Sequence, residues 1–369
     1  MNPEISHRPS WIQRYILPGL AFKAVVIGGG YATGRELAEF FLPSGPIGGL
    51  LAILVATLVW SLVCALTFSY AFCYRLLDYR AFFGKLLGRG WVLFEITYFL
   101  LVLIILSVFG ATTGAIGQAL FGWPAIAGTV LLLLSIAALV ALGPGAVEGL
   151  FKYVSVLLYA TYAAFLALSL SKFGPQILSN LRTSHMNGGW LGGGVTYAGY
   201  NAVAAVVILP VLRHMTTRRE ALIAGIIAGP LAMLPGLFFF LSMIAWYPAV
   251  GDSTLPSDYL LMKLDVPLAR LLFQSMIFFA LLESGCGVVH AIMERVRRAL
   301  RDRTGKDPNA AVRAATTLGV LAISVSAAQG IGLVDLIAKG YRFISWVLIV
   351  IFILPIIYVS ITKPKLRAT

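Results

Sequence analysis

The chain has 369 residues, of which 59% are apolar and 12% charged, and its mean hydropathy is +0.90. So few polar side chains cannot cover such a core in water, which excludes an ordinary soluble domain and marks an integral membrane protein. The formal charge of +13 does not point to nucleic acid, because in a membrane protein Lys and Arg gather in the cytoplasmic loops.

A helix needs about 20 apolar residues to cross a bilayer. That ruler gives ten spans in an all-α chain, at 13–42, 46–77, 91–118, 123–143, 149–171, 190–213, 219–247, 267–298, 310–329 and 340–362. Arg8 and Arg14 ahead of an apolar run suggest a signal peptide, but Lys23 inside the run argues for a span. With the N-terminus inside, the inner segments hold 20 Lys and Arg and the outer ones six. This bias predicts a multi-pass protein of the cell membrane with both termini cytoplasmic. Cys64, Cys73 and Cys286 lie in apolar stretches with neither disulfide nor metal spacing, and read as packing residues.

The first span is interrupted. In VVIGGGYATGRE, residues 25–36, three glycines run into an arginine beside a glutamate, and apolar residues flank them on both sides. The sixth span repeats the pattern in GGGVTYAGYN, residues 192–201, at an offset of 164 from Gly28. Two five-span halves, each opening on a glycine-interrupted helix, are the sequence pointer to an inverted-repeat transporter. The expected division is a tail at 1–12, a first half at 13–172, an extracellular connection at 173–189, a second half at 190–362 and a tail at 363–369. Unwound backbone at that depth must line a cavity or be buried in protein, since lipid satisfies no N–H or C=O. Residues 28–34 and 196–201 are therefore expected to be non-helical and to face each other.

The sequence Gly28-Gly29-Gly30-Tyr31-Ala32-Thr33-Gly34-Arg35-Glu36, with Tyr-Ala-Gly-Tyr-Asn at 197–201, resembles the APC superfamily of transporters and, more narrowly, the YkvI-like bacterial membrane proteins. Arg35 stands where that family carries a neutral amide. The resemblance implies a LeuT-type 5+5 inverted repeat with broken helices 1 and 6, and an eighth span passing beside the first break, the usual place for a coupling ion.

Glycine clusters in membrane helices also serve close packing. Gly28, Gly30 and Gly34 follow no preceding strand and do not make a phosphate cradle, and no Walker-type loop is present. The sequence calls for no cofactor. It also lacks H-E-x-x-H and G-x-S-x-G, so an enzyme is the weaker reading.

Ionisable residues at membrane depth cost about 2.5–3.5 kcal/mol to insert, and usually face a partner or a watery cavity. Arg35 and Glu39 are spaced to pair, which leaves Glu36 for a ligand. The expected substrate site comprises Gly28, Gly30, Tyr31, Ala32, Thr33, Gly34, Arg35, Glu36, Thr196, Tyr197, Gly199, Tyr200 and Asn201. Free N–H groups near Thr33–Arg35 would hold a carboxylate, Glu36 an ammonium, and the tyrosines would cover it by cation–π contact. This describes a secondary transporter of a small polar solute, an amino acid or other amine. A proton carried by Glu283, with His290 and Glu294 leading inward, is the first coupling scheme. Sodium held by Gly28, Tyr31 and Ser284 is the second. Glu95 and the Glu148–Lys152 pair read as interfacial.

Overall fold

The computed structural model describes residues 9–142 and 144–363, and the side chains of residues 141–159 and 310 fall outside that description. The Glu148–Lys152 pair lies among the latter. The described chain is helical throughout. Among the described residues six stretches are long and apolar enough to cross a membrane: Arg35–Tyr74, Tyr79–Phe121, Arg218–Ile244, Pro267–Thr304, Ala311–Ile331 and Leu333–Thr362.

The first span is α1 (Leu17–Val26), α2 (Gly29–Ala32) and α3 (Arg35–Phe40), and the second is α4 (Gly45–Tyr74). A short helix α5 (Tyr79–Leu87), capped by Asp78 accepting from the Arg80 and Ala81 N–H groups, leads to the third span α6 (Trp91–Phe121). Spans four and five are α7 (Ala125–Leu142) and α8 (Pro144–Thr183). The sixth comprises α9 (Trp190–Asn201), α10 (Ala204–Val207) and a 3-10 turn at Leu209–His214, and the seventh is α11 (Arg218–Ile244). After a helix outside the spans, α12 (Pro256–Leu264), come α13 (Pro267–Thr304) and α14 (Ala310–Ile331). The tenth span joins α15 (Leu333–Asp335), α16 (Arg342–Leu348) and α17 (Leu354–Thr362) through π-helical turns at Leu336–Tyr341 and Ile349–Ile353.

Several boundaries differ from the sequence reading, the eighth span running on to Thr304 rather than 298. The connection expected at 173–189 is helical as far as Thr183, because Phe173 and Ile177 bury one face of that extension and Phe173 meets Trp246 edge-on at 5.6 Å. The tenth span begins at Leu333 rather than 340.

The tightest helix pair is α4 with α11, the second span of each half. Its seam is built from small residues: Thr57, Ser61 and Ala65 of α4 meet Gly225 and Gly229 of α11. A Cβ on Gly225 would run into the Ala65 backbone, and one on Gly229 would stand 2.8 Å from the Ser61 nitrogen. In a bilayer, where lipid is as apolar as leucine, such close backbone approach supplies the dispersion contacts that hold helices together. The α4–α11 seam backs the two interrupted spans: α1 packs on α11 and α9 on α4.

Candidate functional site

The break in the first span has a clear backbone cause. Ile27 and Gly28 leave the helical region, and Gly34 sits at φ +77°, a left-handed conformation that costs other residues about 1–2 kcal/mol. One helical turn, α2, is isolated between these two points, so the expectation of non-helical backbone over 28–34 fails at Gly29–Ala32, where the turn closes its own hydrogen bonds. Its polar groups are satisfied locally. Thr33 Oγ1 donates to the Gly29 carbonyl at 2.9 Å, and the Thr33 carbonyl, freed at the break, accepts the Ser257 N–H from α12 at 2.9 Å.

The N–H groups expected to await a carboxylate near Thr33–Arg35 are engaged. The Thr33 N–H bonds the Gly29 carbonyl at 3.1 Å, the Gly34 N–H bonds the Tyr31 carbonyl at 3.0 Å, and the Arg35 N–H faces Thr33 Oγ1 at 3.5 Å. Backbone closure of the short α2 turn consumes them.

In the sixth span the expectation of non-helical residues at 196–201 is overturned. Trp190–Asn201 is continuous helix, and the interruption lies at 202–203 and 208, where the Ala205 and Val206 N–H groups bond three residues back rather than four. The glycines here create room. A Cβ on Gly193 would strike the Phe40 carbonyl, one on Gly194 would stand 2.5 Å from the Ala52 carbonyl, and one on Gly199 would strike Ser345 Oγ. Helical backbone with close neighbours is the other use of membrane glycines.

The two clusters nevertheless meet. The Tyr200 hydroxyl donates to Glu36 Oε2 at 2.6 Å, across a sequence separation of 164, the offset between the two glycine motifs. Gly30 lets the Glu36 side chain fold back, since a Cβ there would stand 2.7 Å from Glu36 Cγ. Glu36 is only 3% exposed. Tyr197 stands edge-on to Tyr200 at 5.8 Å, its own hydroxyl buried without a partner among the described residues.

The other expected residues divide. Arg35 turns toward the 249–253 loop, donating through Nη1 to the Gly251 and Ser253 carbonyls at 2.8 and 2.9 Å and through Nη2 to Glu39 at 3.2 Å. Glu39 also accepts from Arg342 of the tenth span at 3.3 Å. Thr196 lends its carbonyl to Ser345 Oγ at 2.6 Å, and Asn201 folds onto the Tyr197 carbonyl. Tyr31 points to the seventh span, donating to the Ala232 carbonyl at 3.1 Å. With Ile27 and Ala32 it lines an apolar cavity of about 170 Å³ closed by Tyr162, Leu234, Pro235 and Met276.

Span eight passes the first break, as a Cβ on Gly29 would stand 2.6 Å from Leu281 Cδ2. Glu283 and Ser284, a turn further along, are half-buried, and among the described residues neither is bonded to the break. His290 is exposed, and Glu294 is engaged by Arg297 and Arg298 at 3.5 and 3.1 Å, so these two do not line an interior path. Glu95 meets Arg295 at 3.6 Å. The guanidinium of Arg295 lies 3.7 Å from the Tyr98 ring centroid. At the N-terminal side of the bundle Arg14 pairs with Glu220 at 2.8 Å, and Glu220 also accepts the Thr216 N–H at 2.8 Å. Cys64 and Cys286 are buried and unbridged, and Cys73 is partly buried.

Sequence reasoning missed Tyr341, which stacks on Tyr200 with centroids 4.5 Å apart and planes 20° from parallel. It also missed Phe40, 6.0 Å from Tyr200, and Trp60, 5.4 Å from Tyr197 and donating to the Ala198 carbonyl at 3.3 Å.

No family model matches the chain, and no curated protein matches it. Among solved structures it is similar to MhsT in complex with L-phenylalanine, with a TM-score of 0.58 at 15% identity over 98% of this chain and 92% of that one. It is also similar to the manganese transporter of Eremococcus coleocola in complex with an aromatic bis-isothiourea substituted compound, with a TM-score of 0.56 at 16% identity over 96% of this chain and 80% of that one. Both have the LeuT-type fold, and so does this chain.

Proposed function

We propose that the chain is a secondary active transporter of a small polar organic solute bearing an amine, the class that includes amino acids, and that it works by alternating access. Supporting this, the two interrupted spans are joined at Glu36 and Tyr200, at the depth where such folds place substrate. The site is closed on both sides. The Arg35–Glu39–Arg342 network and the 249–253 loop cover it from one end, and the Arg14–Glu220 pair draws α11 and the N-terminal segment together at the other. On the bias of basic residues we assign both termini to the cytoplasm and the chain to the cell membrane. Kinship with the APC superfamily and the YkvI-like proteins rests on the 28–36 motif.

For coupling we favour a proton on Glu283, a half-buried carboxylate in an apolar helix beside the break. Sodium is the second reading, with Ser284, Tyr31 and the Gly28 carbonyl as oxygen ligands, although that carbonyl already accepts the Ala32 N–H at 2.9 Å. A transition metal fits less well: among the described residues no three His, Cys, Asp or Glu converge, and hard divalent ions require several oxygen ligands. The test is uptake of radiolabelled amines and amino acids into liposomes holding the purified protein, under imposed proton or sodium gradients. Accumulation of one solute against its gradient is the expected result. Binding without translocation under either gradient refutes the transporter reading.

A further inference from the structure

Glu36 is an acid whose counter-ion is missing. It is 3% exposed in the middle of the helix bundle, and no ion pair reaches it among the described residues. Arg35, its neighbour in sequence, spends its Nη groups on Gly251, Ser253 and Glu39. A buried carboxylate with hydrogen-bond donors but no cation carries an uncompensated desolvation cost, and in native structures such charges are paired.

Its surroundings show what kind of partner fits. The Tyr200 hydroxyl reaches the carboxylate directly. The rings of Tyr197, Tyr200 and Tyr341 are packed on one another by edge and by face. The negative π-face of an aromatic ring attracts a desolvated cation within about 6 Å. A carboxylate walled by phenol rings is chemistry for an organic ammonium. Nothing here suits a second carboxylate. The Thr33 and Gly34 N–H groups close onto Gly29 and Tyr31, the Tyr200 hydroxyl already serves Glu36, and an added anion would stand beside Glu36 itself.

We propose that the substrate is an organic cation without a carboxylate, a primary to quaternary amine held by Glu36 and the ring faces of Tyr197, Tyr200 and Tyr341. This rests on the transporter reading above and narrows its substrate class. An α-amino acid, which brings its own carboxylate, is discriminated against by the same group that holds its ammonium.

The test uses matched probes on the full-length protein in lipid nanodiscs, by calorimetry and thermal shift. Two series suffice: ethylamine, alanine methyl ester and alanine, and 2-phenylethylamine, phenylalanine methyl ester and phenylalanine, with choline as a quaternary probe and N-acetylphenylalanine as a carboxylate alone. At least one amine or ester binds tenfold or more tightly than its parent amino acid, and N-acetylphenylalanine does not bind. Glu36→Gln abolishes the amine signal. Should that variant fail to fold, Tyr341→Leu, which removes one ring face and leaves the Tyr200 donor to Glu36 in place, weakens amine binding at least threefold. An amino acid that binds as tightly as its own ester overturns the inference and leaves the transporter reading standing. So does the absence of binding by every probe. A protein that binds the amines selectively but moves none of them in liposomes supports the inference and defeats the transporter reading instead.

Discussion

Replacing Tyr200 by Phe removes one hydroxyl and leaves the ring. The stack on Tyr341, 4.5 Å between centroids, is kept, while Glu36 loses the donor 2.6 Å from its Oε2. A hydrogen bond to a charged group contributes about 1.5–3 kcal/mol, and a buried acceptor left without it costs in that range. Unfolding entropies near 2.1 cal/mol/K per residue give a chain of 369 residues a shift of roughly 1.3 °C per kcal/mol. The expected fall in Tm of Tyr200→Phe is therefore about 2–4 °C, measured by scanning fluorimetry of the purified protein. A bound ammonium supplies Glu36 with the interaction that Tyr200 no longer gives, so saturating amine shrinks the deficit. A variant that melts with the wild type, both free and with ligand, refutes the reasoning, since the bond would then hold nothing. A fall beyond about 8 °C refutes it differently, because a single hydrogen bond cannot account for so much and the ring stack must have been lost too.

Gly34→Ala, at φ +77° with the Phe239 Cζ atom 3.0 Å from the new Cβ, lowers stability by at least about 1–2 kcal/mol. Gly84→Ala, in a helix with nothing within 4 Å, raises it by about 0.5–1 kcal/mol. Parallel melts of the two separate backbone strain from a general effect of adding a methyl group. Arg14→Gln breaks a pair whose acid is only 5% exposed and shifts the resting population toward opening at the N-terminal side by about fivefold, for a pair worth about 1 kcal/mol. A reporter cysteine placed below Tyr31 and labelled from that side reads this out, and unchanged labelling rejects a closing role for the pair. Glu283→Gln abolishes proton-driven accumulation and spares exchange of substrate for substrate. Accumulation that persists in this variant, or that follows sodium alone, moves the coupling ion away from Glu283.

Most of the fold was legible because bilayer thickness sets span length and apolar runs of that length are unmistakable. The break in span one was legible for a second reason: Gly34 and two charges interrupt an apolar run, and the structure uses Gly34 for a backbone angle that other residues resist. The same letter misled in span six. Gly193, Gly194 and Gly199 stay helical and make space for Phe40, Ala52 and Ser345, and a one-letter sequence does not distinguish a glycine needed for its φ from one needed for its missing Cβ. Arg35 was placed at the site for its backbone N–H, and the pair with Glu39 that its spacing suggests does form, but its Nη1 also found carbonyls at Gly251 and Ser253, more than 200 positions away. Tyr341 could not have been found by motif. It lies in the tenth span, and only the folded chain sets its ring on Tyr200.

The offset of 164 that relates the two glycine motifs also relates Glu36 to Tyr200. The two positions do not stand alike, since Glu36 follows the interruption at Gly34 and Tyr200 precedes the one at 202–203, but pairing an acid with a phenol there has a physical reason. Two carboxylates facing each other at this depth would repel, and two phenols would leave no charge for a ligand to answer. One acid against one phenol gives a bond that is stable without ligand yet can be exchanged: a cation arriving at Glu36 competes with a neutral hydroxyl. Because each partner lies next to an interruption, at Gly34 and at 202–203, loosening that bond frees two helices at the points where they can bend with the fewest backbone hydrogen bonds to break. In the transport cycle proposed above, ligand charge is in this way tied to helix movement through a single atom pair.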